Sequence, residues 1–459
     1  MAKKAIIIGA GPAGLAAACT LAGKKDLEVT LIDQGREVMK RHCPSPKKCI
    51  KCKLCGKSSG VGGAGAYADG KFNFETIIGK REVGTNLHEI IGRSKERDYL
   101  KKAELHYVGY GLEIPKIPTE NLLKAENIWD LADKKDIDYI FARQTHVGTD
   151  KLPEFIDKIE KDLIRRGVNI ITLEKIASFD PSMIHSEKSS SDYDFLIVAP
   201  GRKGAVWLED QLQANKIGYG YRAVDIGFRM ETSSRMLKHL TDVARDVKFE
   251  MMVPAHGYLV RTFCVCPNGV VTRETYEDSG FNLVNGASDS KELSENTNFA
   301  LLASVPLTDN ANCNHYGDAI ARVYRESGID KPVLQQLGDI KRESRSRAGK
   351  TYEWRVQPTL ADVHIGDVGL GMVATIQSKL LEAIKMLSAP GLMDGLNNDS
   401  TLIYAPEIKR NGLDVRTDGY CRTSIPQIRV AGDGSGKSRS IVGAAASGIL
   451  AAEGILNDL

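Results

Sequence analysis

The sequence predicts an α/β fold: one parallel-sheet domain assembled from separated segments, with an α+β domain inserted between them. Three observations carry this expectation. Residues 5–14, Ala-Ile-Ile-Ile-Gly-Ala-Gly-Pro-Ala-Gly, read as a buried strand that runs into a glycine turn and a helix. The segment 193–202 repeats an apolar strand ending at glycine. Residues 427–456 supply a third strand–turn–helix unit.

In the first unit, Gly9, Gly11 and Gly14 form a G-x-G-x-x-G turn. Gly9 permits the tight turn, Gly11 lets backbone approach a pyrophosphate, and Gly14 lets the helix sit close to the strand. Pro12 is tolerated in the first helical turn, where its missing N–H has no partner to lose. With Ala13 it opens a helix running to about Ala22, whose N-terminal N–H groups and dipole favour phosphate. A second strand, 28–33, ends at Asp33, 19 residues after Gly14. That spacing brings a carboxylate to an adenosine ribose. Gln34 follows at the same strand end.

At 459 residues the chain is long enough for two or three domains. Its 42% hydrophobic and 26% charged content is that of an ordinary globular protein. A net charge of +3 argues against a general nucleic-acid or membrane binder. No run of about 18 apolar residues is present, and the first strand starts at once, so a cytoplasmic protein is expected. There are nine cysteines, and their clustering in such a compartment points to ligation or redox chemistry over disulfides.

Along the chain, a Lys- and Cys-rich loop at 35–59 leads into Gly62, Gly63, Ala64 and Gly65, a stretch suited to lying against a flat ligand. Residues 86–145 read as largely helical, 151–166 as a helix, 168–173 as a strand and 186–192 as a surface turn. Ala199 and Gly201 close the strand of 193–202. From 222 to 345 short alternating segments, 257–266 and 269–275 among them, suggest an antiparallel sheet. The expected organisation is therefore 1–221, first part of the nucleotide domain; 222–345, inserted substrate domain; and 346–459, the return, beginning with a helix at 371–387.

The tail points to FAD over NAD. The strand Arg-Val-Ala-Gly-Asp-Gly places Gly432 and Asp433 at a strand end, where the carboxylate can accept from ribityl hydroxyls. Ser440, Ile441, Val442 and Gly443 open the following helix, whose dipole suits the anionic pyrimidine side of a reduced flavin. The expected architecture is thus a Rossmann-like FAD-binding domain with an inserted α+β substrate domain.

These pieces resemble the FAD-binding Rossmann-like flavoprotein superfamily, and more closely the uncharacterised prokaryotic FAD-dependent dehydrogenases. That family shows a Cys-rich loop, a Gly-Gly-Ala-Gly-Ala stretch with Asp-Gly-Lys, and Arg-Thr-Phe-Cys-x-Cys-Pro. Here these are residues 43–55, 62–66 with 69–71, and 261–267. The resemblance covers nearly the whole chain and implies a redox flavoenzyme without naming a substrate. Pro200 departs from the threonine many relatives have, and it removes an N–H from that turn.

Cys43, Cys49, Cys52 and Cys55 place four thiols within 13 residues. This spacing suits an iron–sulfur centre such as [4Fe-4S], with zinc or metal-free cysteines as alternatives. The lysines around them read either as a solvated loop or as a docking patch for an acidic electron carrier of ferredoxin or flavodoxin type. Cys264 and Cys266 fall on one face of an expected strand, as a nucleophile, a redox pair or buried cysteines; a disulfide between regular i, i+2 positions is disfavoured. His146 and His256 could serve as general acid or base. Arg261, Arg273 and Arg439 could hold a carboxylate, with Arg439 best placed beside the last helix. The catalytic set expected is Arg439, His146, Cys264 and Arg261.

The function expected is an FAD-dependent dehydrogenase or reductase acting on a small organic substrate by hydride transfer at flavin N5. A metal centre would link it to a one-electron carrier. An RNA-modifying flavoprotein and a non-enzymatic flavin redox sensor are the alternatives.

Overall fold

Two sheets organise the chain. The computed structural model describes residues 2–44, 52–67, 70–148, 150–253, 257–275, 280–288, 293–308, 311–327 and 330–459. Cys49, Asp69 and His256, named above, lie outside them.

The first sheet is parallel throughout. Its order is Ile428–Val430, Phe195–Val198, Lys3–Ile8, Leu27–Ile32, Asn169–Ile171. Alternate residues of a strand face opposite sides. Ala5 and Ile7 therefore join the core beneath the first helix (Pro12–Leu21) and the last (Ile441–Asn457), while Ile6 and Ile8 join a second core with Leu208 and Leu212. The two helices touch closely: a Cβ on Gly448 would stand 2.0 Å from the Ala13 carbonyl oxygen. The three expected strand–turn–helix units thus meet in one Rossmann-like layer.

The second sheet has nine strands. In order they are His364–Ile365, Val333–Gln336, Leu402–Lys409, Val224–Ser233, Asn296–Val305, Tyr258–Cys266, Lys248–Val253, Ile137–His146 and Lys71–Ile78. All neighbours are antiparallel except the first pair. The interior strand Val224–Ser233 shows how it is layered. Val224, Ile226, Phe228 and Met230 enter an apolar core that also holds Ile320, Ile376 and Leu380 from covering helices. The alternate residues Asp225, Arg229 and Glu231 face the other side and are also buried. Such burial requires partners, and they are present. Arg229 donates to Asn298 Oδ1 from Nε at 2.9 Å and Nη2 at 2.7 Å. Glu231 accepts from Thr359 Oγ1 at 2.6 Å and Tyr404 OH at 2.5 Å.

This sheet is not confined to 222–345: Lys71–Ile78, Ile137–His146 and Leu402–Lys409 all join it. The helix Ala374–Leu387, expected to return the chain to the nucleotide domain, packs on this sheet. The chain rejoins the first half later, where Leu413–Val415 pairs with Tyr219–Tyr221. Alternation along a strand reveals its faces and leaves its partners open, because pairing is non-local. Two smaller differences follow from the same limit. The stretch 86–145 is two helices, His88–Gly109 and Thr119–Asp133, followed by a strand, and the turn at 186–192 contains the edge strand Ser190–Asp192. Among the described residues no helix is long and apolar enough to cross a membrane.

Candidate functional site

The glycine turn separates into two kinds of glycine. Gly9 has φ +98°, and a Cβ there would stand 2.2 Å from the Ala199 carbonyl oxygen. A Cβ on Gly14 would stand 1.8 Å from the Gly9 oxygen. Both are required by the fold. Gly11 has φ −73°, open to any residue, and its Cβ would meet only Gly63 Cα at 3.9 Å. Nothing among the described residues requires glycine at 11, so the open space in front of it fits a ligand. No side chain caps the helix there, so its first N–H groups remain available to an anion. Asp33 braces the loop: its carboxylate accepts from Ala10 N at 2.9 Å and Gly35 N at 2.8 Å. Gln34 reaches Ser59 Oγ at 3.4 Å.

The glycine stretch lies against this loop. Gly62 N donates to the Ala10 carbonyl at 2.8 Å, and Gly63–Tyr67 forms a short 3-10 turn. A Cβ on Gly65 would stand 3.2 Å from Pro12 and 3.5 Å from Ile441. The turn therefore touches the opening of both the first and last helices, with Ala64 exposed. Arg41 ties the turn in place from a buried position. It donates to the carbonyls of Gly56 (3.0 Å), Lys57 (2.9 Å) and Val61 (2.6 Å), and it stacks 4.8 Å from the Tyr67 ring. Cys43, Cys52 and Cys55 are half-buried, and Cys49 falls outside the described residues. Among the described residues no three His, Cys, Asp or Glu side chains are grouped to hold a metal ion.

The tail packs beside the first helix, where a Cβ on Gly432 would stand 3.2 Å from Ala13 Cβ. Asp433 accepts from Arg202 Nε at 3.1 Å and Ser438 Oγ at 2.5 Å. Gly201 has φ +66°, and Gly434 packs 2.3 Å, measured from its would-be Cβ, against the Gly201 oxygen. Ser440 caps the last helix, accepting from Gly443 N at 2.9 Å and donating to the Gly84 carbonyl at 3.0 Å. The Gly443 N–H is thus used within the chain, and Ile441 and Val442 are the residues that open the helix.

Arginines gather where this helix meets the second sheet. Asp225 accepts from Arg261 and from Ser304 Oγ at 2.8 Å, and Arg439 Nη1 stands 3.6 Å from its Oδ2. Arg81 pairs with Glu250, and Arg222 with Glu89 at 2.5 Å and Asp414 at 3.0 Å. The Nε atoms of Arg222, Arg261 and Arg439 are buried without a hydrogen-bond partner among the described residues. Burial, then the positive charge of Arg261, pushes the Arg439 guanidinium down to about 10. It remains charged at neutral pH, and an anion beside it would relieve that cost. Arg439 and Arg261 were expected here. Arg81, Arg222 and Asp225 were not, though the alternation of 224–231 could have shown a polar second face.

The remaining candidates disperse. His146 lies on the penultimate strand of the second sheet, with Lys248–Val253 between it and the strand of Arg261. Arg273 pairs with Asp362 at 2.7 Å, outside the arginine group. Cys264 does not sit on a regular strand face, because an extra residue is inserted between Phe263 and Cys266 relative to Ala300 and Asn298. Its φ is +52°.

The family model described as pyridine nucleotide-disulphide oxidoreductase matches residues 3–94. A protein of Clostridium beijerinckii described as uncharacterized is 25% identical over 493 residues, spanning 98% of this chain and 80% of that protein. Among solved structures, CtdE in complex with FAD is 11% identical with a TM-score of 0.33, over 99% of this chain and 84% of that one. The tetrameric form of 2-methyl-3-hydroxypyridine-5-carboxylic acid oxygenase is 11% identical with a TM-score of 0.32, over 98% and 80%.

Proposed function

We propose that the chain is an FAD-dependent oxidoreductase whose substrate is a small organic anion. One observation carries the reading. The turn at 63–67 touches both the phosphate-ready start of the first helix, beside Asp33, and Ile441 at the start of the last helix, two residues beyond Arg439, one of three buried arginines whose Nε atoms have no hydrogen-bond partner among the described residues. Bound FAD would supply hydride exchange at its N5. Gly11 and the first N–H groups after it would hold the pyrophosphate, Asp33 a ribose hydroxyl, and Asp433 the ribityl chain. The turn at 62–65 would shield one side of the ring system from water. Arg261 and Arg439 would hold the substrate carboxylate by planar, bidentate hydrogen bonds, and Asp225 would keep the two guanidiniums from separating.

The test is anaerobic bleaching of flavin absorbance by hydroxy acids and amino acids, each compared with its neutral amide. Faster bleaching by the acids, lost in Arg439→Gln, supports the reading. Equal bleaching by acids and amides contradicts the anionic substrate.

A further inference from the structure

The second sheet carries a pair of thiols that the flavin chemistry does not use. Cys264 and Cys266 flank the bulge, where the left-handed backbone at Cys264 breaks the strand. In a regular strand, side chains at i and i+2 stand roughly 6.6 Å apart along the strand, held parallel by the pleat. Here the bulge breaks that spacing. Cys266 Sγ lies 3.5 Å from the Cys264 carbonyl oxygen, and the neighbouring Cys264 side chain, with burial, pushes the Cys266 thiol well up. Bulges re-aim side chains and persist where the surroundings enforce them.

Two cations frame the pair. Lys71 Nζ is 3.8 Å from Cys264 Sγ, and its own carboxylate partner is Asp246 at 2.8 Å. Arg229 Nη2 is 3.4 Å from Cys266 Sγ and 2.9 Å from the Cys264 oxygen, and it also meets Asn298 and, through Nη1, Glu407 at 3.4 Å. The two thiols differ in access: Cys264 is half-buried and Cys266 is fully buried.

We propose that Cys264 and Cys266 form a redox-active dithiol that reacts with the disulfide of a small thiol compound or a protein. The Cys264 thiolate attacks one sulfur of that disulfide, forms a mixed disulfide and releases the other half as a thiolate. Cys266 then gives up its proton as its sulfur attacks Cys264 Sγ, closes the Cys264–Cys266 disulfide and releases the second thiolate. Two electrons pass from the pair to the incoming disulfide, and the two cysteine protons leave to solvent. An external thiol reverses the sequence. Lys71 favours the attacking thiolate, and Arg229 holds the resolving sulfur and the bulge carbonyl together. This chemistry stands apart from the flavin reading and is tested without it.

The experiment equilibrates the full chain in buffers of reduced and oxidised glutathione, alkylates it and digests it with trypsin. The peptide 262–273 contains these two cysteines and no other. As the buffer becomes more oxidising, it should escape alkylation and appear two hydrogens lighter than the unalkylated dithiol peptide, reversibly with dithiothreitol, before buried Cys19, Cys313 and Cys421 are modified. Cys266→Ser should instead accumulate a glutathione adduct on Cys264, and Cys264→Ser should leave Cys266 unmodified. Melting curves matching the parent show that these variants remain folded. The proposal is overturned if the internal disulfide forms at no glutathione ratio, or only in denaturant. An adduct on Cys266 in Cys264→Ser would also overturn it.

Discussion

Arg439 Nη1 stands 3.6 Å from Asp225 Oδ2. The contact joins the residue just before the cap of the last helix, in the nucleotide half, to the strand Val224–Ser233 of the second sheet. A guanidinium that also faces Arg261 and Arg222 is poorly satisfied by one carboxylate. Arg439→Lys should therefore raise KM about tenfold or more, as loss of a charge-assisted hydrogen bond of about 1.5–3 kcal/mol implies. Steady-state kinetics on the substrate found by bleaching checks this, and an unchanged KM removes Arg439 from the substrate site.

Gly11 and Gly14 should respond in opposite ways to the same substitution. Gly11→Ala meets only Gly63 Cα at 3.9 Å. It should fold with stability changed by about 0.5 kcal/mol or less, as surface substitutions do, yet lose FAD. Gly14→Ala drives a methyl to 1.8 Å from the Gly9 oxygen, and it should fail to fold. Chemical denaturation with flavin titration separates the two. An alanine at 11 that binds FAD normally would show that the cofactor does not approach there.

Arg41→Lys should loosen the glycine turn. Lysine cannot span the carbonyls of Gly56, Lys57 and Val61 that the guanidinium bridges. Leaving buried carbonyls unpaired costs about 1–3 kcal/mol each. The expected result is a stability loss of about 2–4 kcal/mol in urea together with weaker FAD binding. Intact stability and affinity would show that the loop is held by another means.

Much of the nucleotide half was legible because its signals are local. The strand, glycine turn and helix at 5–21 and the last helix follow from contiguous residues. The arginine group was not legible as a group. Arg81, Arg222, Arg261 and Arg439 are scattered in sequence, and antiparallel pairing with a crossover between sheets brings them together. The bulge at Cys264 was equally hidden, since one inserted residue depends on what the partner strand does at Asn298. Arg41 was read with the basic loop and proved to be its anchor, because burial of a single charge does not show in composition.

His106 carries a pH prediction. Burial first, then the charge of Arg166, pushes it down from 6.5 to about 4. The unfolded chain therefore binds one more proton than the folded chain across that window, and stability falls as pH drops through it. The half-buried ring limits the effect to about 1–3 kcal/mol. Urea melts at pH 7 and pH 4.5 should show His106→Gln losing less stability than the parent. Equal losses would place the acid sensitivity elsewhere.

The central claim is the cofactor, and its most direct measurement is the identity and stoichiometry of flavin released on denaturing the purified or reconstituted chain. The account predicts one FAD per chain. FMN in its place, or no flavin after reconstitution with FAD, would contradict it.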